Sequence, residues 1–233
     1  MIPGPKYSIN MPSEFYIESF ISEKQLNNQS VSLVIPRITR ERIHNSLYYK
    51  VNLHILGLRG DTLLELVKVL VRDLGTLRTK SVNQIHMLGG TIFKCLLMKL
   101  VEIRPTVEQV CLLLDQNLNE RFDGKYIVAL MLTYIRIQYY FLGAYDELAQ
   151  RWKRYMKSYL KDYRKLKTLD LNQDCFSVSQ TLKVSVLHMD ELVDWLVTKE
   201  QIWGIPLGRC QWCDTIYESD SSDSSGSEDS WRD

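Results

Sequence analysis

The residues with the clearest potential for chemistry are two cysteines, Cys210 and Cys213, that stand two residues apart. This spacing is found in zinc sites and in redox dithiols, but tetrahedral zinc needs two further ligands. The nearest upstream candidates are Cys175 and His188, and neither belongs to a second paired motif. A thioredoxin-like dithiol would need a βαβ context, which the sequence lacks. The sequence therefore predicts no metal site and no redox site.

Other patterns that support catalysis do not stand out either. The histidines His44, His54 and His86 are scattered and do not form the HExxH spacing of a metalloprotease. Gly89 and Gly90 precede a helical segment without the lysine and hydroxyl of a phosphate-binding loop, so a packing role is expected for them. The first ten residues lack the apolar core of a secretory signal, and reduced thiols are therefore expected. The sequence indicates a protein that is not an enzyme and that uses no cofactor.

A basic and aromatic stretch, 151–167, is the strongest candidate for binding. Residues 145–167 are predicted to form one helix, with aromatic residues along one face and four cations along another. These cations are Arg154, Lys157, Lys161 and Lys165. Cations neutralise phosphates and tyrosines stack on unpaired bases, which favours single-stranded RNA. The aromatic face should however pack into the core, and an acidic partner helix would use the same cations. The sequence does not decide between single-stranded RNA and an acidic partner helix.

The end of the sequence combines serines with acidic residues. Segment 218–233 holds seven serines and six acidic residues, which leaves too little apolar surface to offset the entropy of ordering it. We therefore predict that 211–233 is a disordered acidic tail. The acidic surroundings suit phosphorylation by an acidophilic kinase, while a purely solubilising tail is equally compatible. The candidate phosphorylation sites are Ser221, Ser222, Ser224, Ser225 and Ser227.

Most of the chain between these segments has the apolar periodicity of helices. Three of the predicted helices begin at residues whose side chains can cap them. These residues are Thr62, Thr106 and Asp123. Gly75 ends the apolar run that follows Thr62, because glycine closes helices. Pro105 ends the next apolar run, 91–104, because proline disfavours helical geometry in the residue before it. A last helix is predicted over 190–203.

These elements predict an all-α fold, a compact single domain of about seven or more helices. Periodicity lapses at 171–188, where β-branched residues allow one small β-hairpin built from 175–178 and 182–187. The expected organisation is a flexible N-terminal arm at 1–30, a helical domain at 31–210 and the tail at 211–233. The formal net charge of +1 is too small for a general attraction to nucleic acid or to a membrane. No membrane contact is expected.

Six segments, in order, resemble the pre-mRNA-splicing factor 38 family, and its fungal members in particular. They are ITRERIHNSLYYK, CLLMKLVEIRPT, KYIVALMLTYIRI, YLKDYRKL, HMDELVDWL and IPLGR, and the likeness as a whole extends over about 31–207. Apolar helices resemble one another, but the ordered set that includes DYRKL and HMDEL is specific. The family-motif positions that the resemblance marks for partner binding are Arg42, Tyr48, Tyr49, Lys50, Tyr163, Arg164, His188, Asp190, Glu191 and Asp194.

The resemblance implies a non-catalytic nuclear scaffold of the tri-snRNP that is required for pre-mRNA splicing. It would act at the activation step of the spliceosome, when a separate helicase unwinds paired small nuclear RNAs. The implied partners are spliceosomal proteins, among them a small zinc-finger protein and an acidic, helix-forming protein. Direct binding of single-stranded RNA by the basic helix 151–167 is the alternative function.

Overall fold

The computed structural model describes residues 25–26, 29–30, 35–53, 62–77, 86–115, 122–139, 142, 146–173, 175–176 and 181–208. In these ranges the chain forms eight helices: α1 (Arg37–Asn45), α2 (Leu47–Asn52), α3 (Leu63–Leu74), α4 (Thr91–Ile103), α5 (Val107–Asp115), α6 (Lys125–Tyr139), α7 (Glu147–Tyr159) and α8 (Met189–Thr198). Four antiparallel strand pairs accompany them: β1 (Gln25–Leu26) with β2 (Gln29–Ser30), β3 (Thr76–Leu77) with β4 (Phe122–Asp123), β5 (Lys165–Leu169) with β6 (Val184–His188), and β7 (Gln201–Ile202) with β8 (Ile205–Pro206). The prediction of a compact, mainly helical domain is confirmed.

Side-chain caps begin the helices where the sequence predicted them. The Oγ1 atom of Thr62 accepts the backbone N–H of Glu65 at 3.3 Å, and Gly75 follows the last residue of α3. Thr106 and Gln109 exchange reciprocal bonds, because each backbone N–H donates to the other side chain. The carboxylate of Asp123 accepts the backbone N–H of Lys125 at 3.1 Å. These local signals are confirmed because they depend on only three or four neighbouring residues.

Helix α6 lies at the centre of the domain. It packs against α3, α4, α5, α7 and α8, and every residue from Tyr126 to Tyr139 is buried. Helix α4 is buried almost as completely, from Phe93 to Glu102. Both helices are apolar nearly all round, which is the pattern of helices that have neighbours on every side.

The buried guanidinium of Arg136 ties the C-terminal part of the described chain to this central helix. Arg136 is 0% exposed. Its Nε atom donates to the carbonyl of Leu196 at 2.6 Å, Nη1 to that of Leu207 at 2.8 Å and Nη2 to that of Gly208 at 2.9 Å. A buried charge is tolerated when dipoles of this kind surround it. Leu207 and Gly208 are thus held on α6.

Gly89 allows the chain to pass directly against an indole ring. Gly89 has φ +73°, and a Cβ atom there would come 2.3 Å from Cδ1 of Trp203. The Trp203 indole N–H donates to the carbonyl of Leu169 at 3.2 Å, and the ring meets Phe93 edge-on with centroids 5.3 Å apart. Close packing therefore accounts for this glycine, as the sequence predicted.

The predicted helix over 145–167 is wrong in its last part, 160–167. Helix α7 ends at Tyr159, and Lys165 already belongs to β5. Strand β5 pairs along its whole length with β6, and Leu88 bonds its other edge. The N–H of Leu88 donates to the carbonyl of Lys167 at 2.8 Å, and the N–H of Leu169 donates to Leu88 at 3.1 Å. These pairings with distant segments outweigh the local helical periodicity.

The hairpin near 171–188 is present, with its first strand in a different place. Strand β6 at Val184–His188 matches the predicted second strand, whereas the first strand is Lys165–Leu169 and not 175–178. Helix α8 also ends earlier than the predicted 203, at Thr198, because a short turn at Trp203 and Gly204 joins β7 to β8.

Candidate protein-interaction surfaces

A groove of about 620 Å³ lies between the end of α7, strand β6 and the first turns of α8. It is lined by Leu160, Ser185, Val186, Leu187, Asp190, Glu191, Asp194 and Trp195. Three of these residues are predicted partner-binding positions from the segment HMDEL and its continuation. We call this feature the acidic groove, because its lining combines an apolar floor with three carboxylates.

Helix α8 starts with a cap that fixes one of these carboxylates. The backbone N–H of His188 donates to Oε2 of Glu191 at 2.7 Å, and the His188 Nδ1 atom lies 3.2 Å from the same oxygen. The bond from the His188 backbone lowers the pKa of Glu191, which therefore keeps its charge. His188 and Glu191 thus cap the start of α8 together. The N-terminus of a helix also favours negative charge.

Asp190 and Asp194 lie one turn apart on α8, on the side that lines the acidic groove. The backbone N–H of Asp190 donates to the carbonyl of Asp162 at 3.0 Å. Its side-chain oxygen Oδ1 is buried and receives no hydrogen bond from any described residue.

The segment DYRKL contacts HMDEL beside this groove. Arg164 binds Asp162 through Nε and Nη2, with Nη2 and Oδ2 2.6 Å apart, and lies 3.7 Å from Asp123. Its carbonyl accepts the N–H of Met189 at 3.1 Å. Burial would lower the pKa of Arg164, but the two carboxylates raise it. Tyr163, between these anchors, is 69% exposed. The structure thus brings six predicted positions, Tyr163, Arg164, His188, Asp190, Glu191 and Asp194, into one region.

The remaining four predicted positions lie on α1 and α2. Arg42 and Lys50 are exposed, whereas Tyr49 is 1% exposed and its hydroxyl donates to Glu102 at 3.0 Å. The hydroxyl of Tyr48 donates to Asp73, and burial together with this bond raises the pKa of Tyr48. Tyr49 therefore supports this part of the surface from inside the protein, while Arg42 and Lys50 face outward.

Glu102 anchors α1 and α2 to the core through a buried polar cluster. His44 Nε2 lies 3.2 Å from Oε1 of Glu102, and the ammonium of Lys99 lies 3.2 Å from Oε2. Burial would raise the pKa of Glu102, but the hydrogen bonds from His44 and Tyr49 and the charge of Lys99 outweigh it. The pKa is therefore lowered, and Glu102 is a buried carboxylate with several partners.

Exposed apolar side chains accompany the cations of α1 and α2, and sequence reasoning missed them. Ile38, Leu47 and Val51 are 67%, 78% and 57% exposed. We call the exposed side of these helices, with Arg42 and Lys50, the α1–α2 surface. The i, i+4 spacing of Leu47 and Val51 is visible in the sequence. It would ordinarily predict a core-facing stripe, so only the packing of α1 and α2 on α4 reveals which side is outside.

The acidic groove also contains an exposed residue that sequence reasoning missed. Val186 is 62% exposed, and Val184, two residues earlier on β6, is 44% exposed. Their alternation with Ser185 and Leu187 is a strand signal in the sequence. Which of the two faces meets solvent depends on how the hairpin packs, and the sequence does not contain that information.

The four cations of the predicted basic helix do not form one helical row. Arg154 and Lys157 lie on α7, Lys161 lies in the turn after it and Lys165 begins β5. Across the hairpin, Lys165 pairs with His188. Lys157 is half-buried and the other three are exposed. The expectation of a continuous cationic face is therefore wrong, because the helix ends at Tyr159.

Several predicted sites fall outside the described residues. These are Cys210, Cys213, His54, the five candidate phosphoserines and most of the arm 1–30. Among the residues that are described, no three side chains of the His, Cys, Asp and Glu types are arranged to hold a metal ion. None of the described helices has the length and apolar character that crossing a membrane requires.

The fold and these surfaces define a mainly helical domain whose exposed motif residues suit binding to other macromolecules. The chain belongs to the PRP38 family, whose family model matches residues 24–220. The resemblance seen in the sequence is thereby confirmed.

Two groups of relatives and one solved structure illustrate this membership. Pre-mRNA-splicing factor 38 of Saccharomyces cerevisiae is 50% identical over 221 residues, which cover 91% of this chain and 90% of the yeast protein. Pre-mRNA-splicing factor 38A of Xenopus tropicalis and of Homo sapiens are each 25% identical, and this chain spans about half of their length, 51% and 47%.

The solved structure is the Snu23–Prp38–MFAP1(217–258) complex of Chaetomium thermophilum. One chain of this structure matches with a TM-score of 0.58 and 21% identity, and the match covers 82% of the present chain and 84% of the chain in the solved structure. At this identity the likeness shows the fold alone.

Proposed function

We propose that this protein is a non-catalytic scaffold of the spliceosome, that it works in the nucleus as part of the tri-snRNP, and that it holds protein partners there before activation. The observation that carries the proposal is the meeting of DYRKL and HMDEL beside one exposed groove, which residues of HMDEL line. Backbone bonds from Met189 and Asp190 to the 162–164 loop join the two segments. The ten family-motif positions thereby lie in two regions of the domain, with Tyr49 buried beneath one of them.

The family supports this function. A relative that is 50% identical over nine-tenths of the chain is named as a splicing factor. The similar fold of Chaetomium thermophilum is part of a complex with two other proteins, Snu23 and MFAP1. By analogy, we propose that the partners of this chain include a small zinc-finger protein and an acidic, helix-forming protein. The unwinding of small nuclear RNAs would be the work of a separate helicase.

Affinity purification of the tagged, full-length chain from nuclease-treated nuclear extract tests the proposal. We expect spliceosomal proteins to stay bound after the RNA has been digested, since protein surfaces hold them. Recovery of no spliceosomal protein, whether or not nuclease is added, would contradict the scaffold function. Depletion of the chain should stall spliceosomes before small nuclear RNA unwinding, and stalling at a later stage would remove the activation step from the proposal.

A further inference from the structure

We infer that the outer edge of strand β6 is a docking site for an extended segment of a partner protein, which pairs with β6 as an additional strand and carries acidic residues at alternate positions. The inference rests on the proposed scaffold function and adds the form and chemistry of one partner. It follows from backbone groups of β6, from the groove beside them, and from two lysines on the exposed face of the hairpin.

The pairing of the hairpin leaves backbone groups of β6 directed outward. Val184 and Val186 stand opposite Leu169 and Lys167. The N–H of Leu169 and the carbonyl of Lys167 bond Leu88, on the side of β5 that is away from β6. Residues that stand opposite each other in an antiparallel pair turn their N–H and C=O groups either both inward or both outward. The two valines therefore direct two N–H and two carbonyl groups away from β5, and none of the four bonds another described residue.

The two edges of the hairpin differ in how they are protected. The outer edge of β5 is covered, because Leu88 bonds it and the N–H of Lys167 donates to the Tyr126 hydroxyl at 2.9 Å. Proteins protect an open edge with charged residues, with proline or with a covering segment. Residues 184–187, VSVL, contain no charged residue and no proline, and no described segment pairs with their outer edge. Extended peptides add a strand to edges of this kind.

The acidic groove runs along this open edge. Residues 185–187 of β6 belong to its lining, whereas no residue of β5 is among its eight lining residues. On the other side of the groove lie Leu160 and Trp195, which are half-buried. A strand that bonds the outward groups of β6 would lie in the groove, about 4.8 Å from β6. Alternate side chains of this strand would face Leu160 and Trp195, which favours apolar residues at those positions.

The exposed face of the hairpin is positive. Lys165 and Lys167 are exposed and stand opposite His188 and Val186, so these four side chains share one face. Neither lysine forms an ion pair with a described carboxylate. Glu191, which lies beside His188, already accepts the backbone N–H of His188. The face therefore carries two cations that acidic residues of a partner can compensate.

These lysines determine which side of the added strand is acidic. The added strand and β5 would lie on opposite sides of β6, about 10 Å apart, and a lysine stem together with a glutamate side chain can span that separation. The carboxylates of α8 line the groove and disfavour acidic residues on the side of the strand that faces the helix. Acidic residues are therefore expected at every second position, with apolar residues between them.

Other occupants fit these observations less well. Segment 218–233 is acidic, but it contains no β-branched residue and consists largely of serine and aspartate, which have little tendency to form strands. A second copy of this chain, paired through its own β6, would bring its α8 carboxylates towards those of the first copy. RNA has no peptide groups to continue the sheet. A segment of a separate protein remains as the occupant.

Site-specific crosslinking identifies the segment. A photo-reactive phenylalanine analogue replaces Val184 in the full-length chain, which is incubated in nuclease-treated extract and irradiated, and the crosslinked segment is determined by mass spectrometry. We expect a segment of a spliceosomal protein with acidic residues at alternate positions and apolar residues between them. The same analogue at Leu112, which is exposed on α5, provides the positional control.

Two variants of Val186 then test the backbone pairing. The probe is a fluorescent synthetic peptide with the crosslinked sequence, and fluorescence anisotropy measures its affinity for the full-length chain. Val186→Pro removes one outward N–H and leaves the bonds to β5 intact, and it should weaken binding at least about tenfold. Val186→Thr keeps this N–H and the β-branched shape, and its affinity should stay within about twofold of the wild type. Circular dichroism and thermal unfolding check that both variants fold.

Amide hydrogen exchange provides a test in the wild-type chain, which stays decisive if the proline variant fails to fold. We expect the amides of Val184 and Val186 to exchange at least about tenfold more slowly when the peptide is bound, because both N–H groups become hydrogen-bonded. Unchanged exchange of both amides at saturating peptide would overturn the strand pairing.

Neutral variants test the charges. Lys165→Gln with Lys167→Gln should weaken peptide binding about fivefold, as expected for two partly exposed ion pairs. The matched double variant Lys68→Gln, Lys199→Gln removes two charges at exposed positions outside the hairpin and should leave the affinity unchanged. Equal affinities of the two double variants would overturn the acidic character of the partner.

The outcomes separate this inference from the proposed function. A crosslink to segment 218–233, to a second copy of this chain or to RNA when nuclease is omitted, or no crosslink in extract where partners are recovered, overturns the inference and leaves the scaffold function intact. Equal affinities of the folded proline and threonine variants do so as well. Failure of the wild-type chain to recover any spliceosomal protein would instead contradict the proposed function.

Discussion

At the scale of single residues, Glu102 joins two family-motif segments that lie far apart in the sequence. Glu102 belongs to CLLMKLVEIRPT, while His44 and Tyr49 belong to ITRERIHNSLYYK, and all three meet in the buried cluster. The carboxylate replaces lost hydration with hydrogen bonds and with the charge of Lys99. The cluster thereby holds the α1–α2 surface in place without itself being exposed.

Glu102→Gln is expected to lower the free energy of unfolding by about 3–5 kcal/mol, because it leaves the ammonium of Lys99 buried without a counter-charge. Denaturant titration measures this loss. Glu41→Gln provides the control, since Glu41 forms a surface pair with Arg37 and should cost less than about 1 kcal/mol. Equal losses in the two variants would show that the cluster adds no stability.

Acid should affect the wild-type chain and the Glu102→Gln variant differently. The pKa of Glu102 is lowered from 4.5 in the folded protein, so the unfolded chain takes up the proton first as the pH falls. Its stabilising contribution is therefore complete above pH 4.5 and is lost as the pH falls further. We expect a shallower fall of unfolding free energy below pH 4.5 in the variant. Parallel pH profiles would contradict the lowered pKa.

Gly89→Ala is expected to lower the free energy of unfolding by at least about 2 kcal/mol, since it adds a clash with Trp203 to an unfavourable backbone conformation. Gly204→Ala is the matched control. Gly204 has a similar φ of +77°, but nothing lies within 4 Å of its missing Cβ, so only the backbone cost of about 1–2 kcal/mol applies. Equal losses in denaturant titrations would remove the role assigned to the contact with Trp203.

At the scale of secondary-structure elements, the sequence was sufficient to predict a helix boundary where a capping residue or a helix-ending residue marks it. Thr62, Thr106 and Asp123 were each predicted to begin a helix, and each does. The end of α7 was missed because the aromatic spacing continues past Tyr159. Strand β5 exists through its bonds to Leu88 and to β6, which lie far away in the sequence.

The candidate site, too, could be predicted from the sequence only in part. Residue types marked Asp190, Glu191 and Asp194 as a charged family motif, but the groove also needs Leu160 from the end of α7 and Val186 from β6. Their proximity depends on the hairpin, whose first strand the sequence placed in the wrong position. The exposure of Leu47 and Val51 was likewise hidden, since an apolar pair at helical spacing predicts burial.

The break in the basic row leads to a prediction for RNA. Because α7 holds only Arg154 and Lys157 of the four predicted cations, we expect these four positions to steepen the fall of log affinity for single-stranded RNA against log salt by no more than about 1.4, or two phosphates at about 0.7 each. Fluorescence anisotropy over a salt series measures this slope. A slope near −2.8 that the quadruple alanine variant abolishes would favour the RNA-binding alternative.

At the scale of the whole molecule, the domain presents two surfaces of different character. The α1–α2 surface combines Arg42 and Lys50 with exposed apolar residues, and its helices rest on α4. The acidic groove rests on α8, which packs against α6 and α7. Different helices therefore carry the two surfaces, as a scaffold for more than one partner requires.

Charge reversal at each surface should release different partners. We expect Arg42→Glu with Lys50→Glu, and separately Asp190→Lys with Asp194→Lys, to reduce the recovery of distinct proteins in quantitative mass spectrometry, without unfolding the domain. The four-residue combination should show the sum of the two losses, since independent sites usually add. Loss of the same protein set from both double variants would mean a single continuous interface.

The three hydrogen bonds from Arg136 to backbone carbonyls have a consequence for folding during translation. Gly208, which supplies the last of the three carbonyls, lies 72 residues after Arg136. At roughly 5–20 residues per second, a ribosome adds those residues in about 4–14 s. Until Leu207 and Gly208 have been added, the guanidinium of Arg136, near the C-terminal end of the buried central helix, lacks two of these three carbonyl acceptors. A nascent chain that stops before Leu207 therefore leaves this buried guanidinium with fewer hydrogen bonds, and incomplete folding of this kind exposes a chain to chaperones and proteases.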